Sequence, residues 1–186
     1  MDYFAVIDTE TNWDNEVMSI GVVIAEKDTF KKVDDLYFIF IPEYKVGGMF
    51  SRVLAVKEKN PKDVLFSREE SMEKIKAVFK KYDVKKLFAY NASFDRNMLR
   101  ELNVYRWYDI MKIAAYRQHN DKISDNIECC RTGRMKRNYG VEPMIQLLTG
   151  NCKYMEVHNA LYDALDELEI MRLLGKTLEE YNIAEI

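Results

Sequence analysis

The chain has 186 residues, 48% hydrophobic and 32% charged, with a net charge of −3 at pH 7. That length suits one domain with a sizeable core, so residues 1–186 are expected to form a single domain. The longest apolar runs, IGVVIA and LYFIFI, are far too short to span a bilayer, and MDYFAVID lacks a signal peptide's basic start and cleavage site, so a cytoplasmic protein without membrane attachment is expected.

The first predicted element is a strand from Tyr3 to Thr9, within YFAVIDTETNW. Side chains alternate along a strand, so Asp8 and Glu10 project to one face and Thr9 to the other. Two like charges that close repel unless a cation lies between them, and hard divalent cations prefer carboxylate oxygen. A solvated strand end is the ordinary alternative. EVMSIGVVIAE (residues 16–26) reads as a second strand and DDLYFIFIP as a third, closed by Pro42, which together make an antiparallel meander. Residues 43–66 then form a long connection, a candidate substrate-gating loop.

Ser67 with Glu70 three places on is a capping box, and Ile75, Val78, Phe79 and Tyr82 repeat at helical spacing behind it. A short strand at Leu87 to Tyr90 turns into a helix near Phe94. VYRWYDI is a further strand before a helix from Asp109 to His119, an order that implies parallel pairing. Residues 120–132 are polar and irregular, and short helices are expected around Met135 and Met144. The last long helix runs from Asn159 to Leu174, with Leu161, Leu165, Leu168 and Met171 as its buried stripe and Asp163 off that stripe. Cys129, Cys130 and Cys152, with His119 or His158, fit no common zinc spacing, so free or buried thiols in a reducing compartment are expected.

Charge is unevenly spread. Arg96 to Arg137 holds ten Lys/Arg against five Asp/Glu, a local excess of +5 that leaves −8 for the rest. A basic stretch beside an acidic cluster suits a phosphate polymer held over metal ions, although a solvated helical face has the same composition. Asp95 follows the fourth strand at a strand–helix junction, where open α/β sheets build their sites. His158 and Asp163 would diverge by about 140° inside one helix. They converge if Asn159 is the N-cap, which leaves His158 in the preceding loop and Asp163 in the first turn.

The ordered set Asp8-Thr-Glu10, Asn91-Ala-Ser-Phe94-Asp95 and His158-x4-Asp163 resembles the three motifs of the DEDDh group of DnaQ-like 3′–5′ exonucleases. The resemblance runs over roughly residues 3 to 174. It implies an α/β, ribonuclease H-like fold, a mixed five-stranded sheet flanked by helices. It also implies that Asp8, Glu10, Asp95 and Asp163 hold two divalent cations, Mg2+ or Mn2+, with Asp8 bridging them and His158 as general base. Two such ions would neutralise the four carboxylates and bind a phosphate between them. A base must be neutral to act, so activity is expected to fall in acid. Thr11 is expected to offer its backbone N–H to the terminal 3′-hydroxyl, as relatives do. Trp13 and Phe94 are candidates to stack on terminal bases, which favours single-stranded DNA or RNA 3′ ends, and Asn91 joins this substrate-binding set. Phe94 as a plain core residue is the alternative.

Relatives also suggest a homodimer or a polymerase partner. The chain departs from the family pattern in TNWD, where many members have glycine, and at Tyr90, where many have histidine; both bear on substrate choice. The competing functions are a catalytically silent nucleic-acid-binding module, a two-metal endonuclease and a small-molecule phosphoesterase.

Overall fold

Three long strands, Tyr3–Thr11 (β1), Val17–Glu26 (β2) and Lys32–Phe40 (β3), form the expected antiparallel meander in the computed structural model, which describes residues 2–54 and 60–186. Helix α1 (Glu43–Val46) follows. The stretch 55–59 of the long connection lies outside the described residues. Next come β4 (Leu65–Phe66), α2 (Arg68–Lys81), β5 (Lys86–Ala89), α3 (Ser93–Met98), β6 (Arg106–Asp109), α4 (Met111–Ala114), α5 (Val141–Thr149) and α6 (Ala160–Leu174). The sheet order is β4-β3-β2-β1-β5-β6, with β5 parallel to both β1 and β6.

The sheet therefore has six strands rather than five. The extra strand, β4, is two residues long and parallel to β3. Its pairing rests on main-chain bonds such as Ile41 N–H to the Phe66 carbonyl at 3.0 Å. A run that short carries no periodicity to read. At the other edge the chain's last residues return, and the Ile186 N–H donates to the Trp107 carbonyl at 3.1 Å, which blunts the β6 edge.

Two expected helices differ. The one placed at 109–119 shrinks to α4, because Asp109 Oδ1 caps the Met111 N–H and Asn120 Nδ2 closes the other end on the Ala114 carbonyl at 2.6 Å. Around Met135 there is no helix. The Met135 N–H donates to the Ala115 carbonyl and the Arg117 N–H to the Gly133 carbonyl, so residues 133–136 pair with neighbouring chain instead. All three cysteines are free thiols, and among the described residues no helix is long and apolar enough to cross a membrane.

Each face of the sheet has its own core. Ala5 and Ile7 of β1 pack with Met72, Ile75 and Phe79 of α2. Phe4 and Val6 pack with Ala160, Leu161 and Ala164 of α6. The approach of α6 is close: a Cβ at Gly21 of β2 would sit 2.1 Å from the Ala160 carbonyl oxygen. Such contact widens the buried face of α6. Asp163 is not off the stripe but buried, with Glu167 one turn further on, whereas Leu165 is only half-buried.

Candidate active site

Alternation puts Asp8 and Glu10 on the face of β1 that Phe4 and Val6 give to the α6 side. The register pairs Asp8 with Gly21 and Glu10 with Ser19 of β2, so both acids stand where α6 begins. On the other side of β1 runs β5, parallel, with Ala5 opposite Leu87 and Val6 opposite Phe88. Past β5 the chain turns at Asn91, whose φ of 63° lies in the left-handed region that asparagine tolerates. Asp109 Oδ1 holds this turn by accepting N–H bonds from Asn91 and Met111, both at 3.0 Å. The turn starts α3 and brings Asp95 into its first turn, buried, where Thr9 Oγ1 donates to Asp95 Oδ1 at 2.7 Å.

The third arm starts at Asn159. Its Oδ1 accepts the Leu161 N–H at 3.1 Å, the capping bond expected from the sequence. Its Nδ2 donates to the Tyr37 hydroxyl and to the carbonyls of Val53 and Leu54. The helix thus begins between His158 and Asp163. His158 stays in the loop with φ 59°, and Asp163 lies in the first turn. Ligand atoms of Glu10, His158 and Asp163 all lie within 4.8 Å of one another.

The electrostatics are those of carboxylates crowded in low dielectric. Burial, then Glu167, Asp95, Asp163 and Glu10, push Asp8 well above the usual carboxylate range. Burial first, then Glu156, Glu10 and Asp166, push Asp163 up to about 9. Glu10 rises to about 7, mainly through burial, against a hydrogen bond from Asp163 that pulls it down. Asp95 also reaches about 7, burial outweighing the bond from Thr9. Each of these four carboxyls is thus pushed toward its neutral form, first by burial.

This donor set fits divalent cations. Oδ1 of Asp163 and Oε2 of Glu167 are buried without a hydrogen-bond partner. Among the described residues no lysine or arginine forms an ion pair with Asp8, Glu10, Asp95, Asp163 or Glu167. Hard oxygen ligands without a protein counter-charge are the chemistry that Mg2+ and Mn2+ require.

Two acids of the cluster escape the sequence reading. Glu167, 1% exposed, is raised well above the usual range by burial and then by Asp95. Its position four after Asp163 was the only available signal, and DELEI reads as an ordinary solvated face. Glu156, half-buried in the loop before His158, is pushed to about 7 by burial and by Asp166 and Glu142. Among the expected substrate residues, Trp13 is 67% and Phe94 38% exposed, so Phe94 is not a core residue. Thr11 is half-buried beside Glu10. The Asn91 side chain is exposed, and its visible contribution is the backbone turn.

The strand order and the helices that cross it give the chain the same fold as solved 3′-exonuclease structures. No protein-family model and no curated protein matches the sequence. Among solved structures the chain is similar to the nuclease domain of 3′hExo, a DEDDh family member bound to rAMP (16% identity, 92% of this chain and 90% of that one, TM-score 0.63). It is also similar to a 3′-exonuclease involved in 3′-end specific recognition of histone mRNA stem-loop (15%, 95% and 65%, TM-score 0.64). A third is E. coli exonuclease I in complex with a dA16 oligonucleotide (13%, 97% and 42%, TM-score 0.62). The chain thus spans under two thirds of the length of the last two.

Proposed function

We propose that the chain is a metal-dependent 3′–5′ exonuclease that releases nucleoside monophosphates from the 3′ ends of single-stranded DNA or RNA. The observation that carries this is the convergence of three chain segments on buried carboxylate oxygens without a protein cation, with an imidazole nitrogen at the same place. In this reading Asp8, Glu10, Asp95 and Asp163 would hold two divalent cations, Mg2+ or Mn2+. Bound there, the cations supply charge neutralisation and polarise the scissile phosphate.

The chain's own residues do the rest. Neutral His158 accepts a proton from the attacking water at an imidazole nitrogen. Water oxygen bonds to phosphorus, the P–O3′ bond breaks, and O3′ gains a proton. The products are a nucleoside 5′-monophosphate and a strand one nucleotide shorter. In this reading the backbone N–H of Thr11, which follows Glu10 in β1, would meet the terminal 3′-hydroxyl. The exposed rings of Trp13 and Phe94 offer stacking surfaces, each worth about 1–3 kcal/mol per base and indifferent to sequence. The structural neighbours hold rAMP and dA16, so both sugars belong in the test.

The test uses 5′-labelled single-stranded DNA and RNA with Mn2+ or Mg2+, beside EDTA and an Asp163→Ala variant. A ladder shortening from the 3′ end, abolished by both controls, is expected. Cleavage of a circular single strand would instead make the protein an endonuclease. Intact oligonucleotides that shift in a gel would make it a silent binding module.

A further inference from the structure

We propose that Phe50 is a positioning residue that holds the His158 imidazole over the carboxylate cluster; this rests on His158 as the proton acceptor. The two rings stack with centroids 4.0 Å apart and planes 16° from parallel. His158 needs such a support. Its φ of 59° and the Asn159 cap define where the main chain enters α6, but neither sets the imidazole's own torsions. Among the described residues no protein hydrogen bond to the imidazole is found. The stacked position is also the working position, because a ring nitrogen already lies within 4.8 Å of carboxylate oxygens of Glu10 and Asp163.

An ordinary packing role for Phe50 is the competing explanation. Phe50 is half-buried yet belongs to neither apolar core. Its neighbour Met49 points outward and is 71% exposed. The segment that carries Phe50, residues 43–54, is tied to both arms of the site. The Glu43 carbonyl accepts from Asn12 Nδ2 at 3.0 Å, and the Gly47 carbonyl accepts the Trp13 N–H at 3.0 Å. At Gly48 a Cβ would lie 2.7 Å from the Thr11 carbonyl oxygen, so the segment seats against the end of β1 as only glycine allows. At its far end the carbonyls of Val53 and Leu54 each accept from Asn159 Nδ2 at 2.9 Å. One strap thus spans from the paired acids to the N-cap of α6, with Phe50 between the two anchorages. Preorganising a base this way spares the reaction its reorientation.

The experiment compares Phe50→Leu, which keeps apolar bulk but no ring, with Phe50→Tyr, which keeps the ring, and with His158→Ala. Only two histidines exist, so imidazole C–H resonances resolve cleanly, with His119 as internal reference. Stacking over a phenyl face shifts the His158 protons upfield of those of His119. Phe50→Leu is expected to abolish that shift, lower kcat by roughly 3- to 10-fold and leave KM unchanged. Phe50→Tyr should restore both shift and kcat. An unshifted His158 in the unaltered protein would overturn the proposal, as would full kcat in Phe50→Leu beside a crippled His158→Ala. A raised KM at constant kcat would make Phe50 a substrate contact and overturn it too. Full turnover in His158→Ala would remove the proton-acceptor reading itself.

Discussion

The two faces of the sheet receive a helix each and treat it in opposite ways. On one face α2 buries Met72, Ile75 and Phe79, and its charges stay at the rim, where Arg68 forks onto Glu101 at 2.7 and 3.0 Å. On the other face α6 buries Ala160, Leu161 and Ala164 beside Asp163 and Glu167. Among the described residues Asp163 Oδ1 and Glu167 Oε2 are buried without a hydrogen-bond partner. Burying a charge without a partner costs several kcal/mol, so the α6 side is held together against its own electrostatics. The α2 face supplies stability, and the α6 face spends some of it on a site. The same division explains why α6 approaches β2 over a glycine: small residues bring the helix close enough for its acids to meet those of β1.

Three measurements probe this division, the largest expected effect first. Phe79→Ala removes a fully buried ring from the α2 core and should cost about 3–5 kcal/mol in denaturant unfolding. Below its melting temperature that variant should keep kcat, and a loss of kcat would couple the two faces. The next effect concerns pH. Glu10, Asp95, Glu156 and Asp163 sit at about 7, 7, 7 and 9, all above the ordinary carboxylate values of 3.8 and 4.5. The native state therefore binds more protons than the unfolded chain between about pH 4 and 9, and stability falls as pH rises through that window. In EDTA the melting temperature should drop from pH 5 to pH 8, and Mn2+ should restore it at pH 8. A flat profile in EDTA would mean that the cluster is not strained.

The smallest effect comes from one member of that cluster. Glu167→Gln removes a carboxyl that burial and Asp95 hold well above its usual range, and should flatten the fall of metal-free stability with rising pH. The gain on adding Mn2+ should shrink accordingly. An unchanged Mn2+ response would separate Glu167 from the cation site.

Much of this architecture is legible in local pattern. Strand alternation in YFAVIDTE assigns Asp8 and Glu10 to a common face, and Ser67 with Glu70 marks the start of α2 to the residue. Asn159 as N-cap is enough to predict that His158 and Asp163 converge. These features depend on neighbours within about five residues, where backbone geometry is fixed by chemistry. Local pattern fails where a partner far along the chain decides. The stretch near Met135 has helical composition, but main chain at 115–117 and 128–130 claims its hydrogen bonds. Strand β4 exists only because β3 offers it an edge.

The sequence by itself determined the order of the motifs, the face that each acid takes on its own element and the helix start that frees His158. Only the tertiary structure decided which acids are buried together, and so brought Glu167 and Glu156 into the cluster and Phe50 onto His158. The reason is physical: facing direction is a property of local backbone geometry, whereas burial and stacking depend on what another segment brings to the same place.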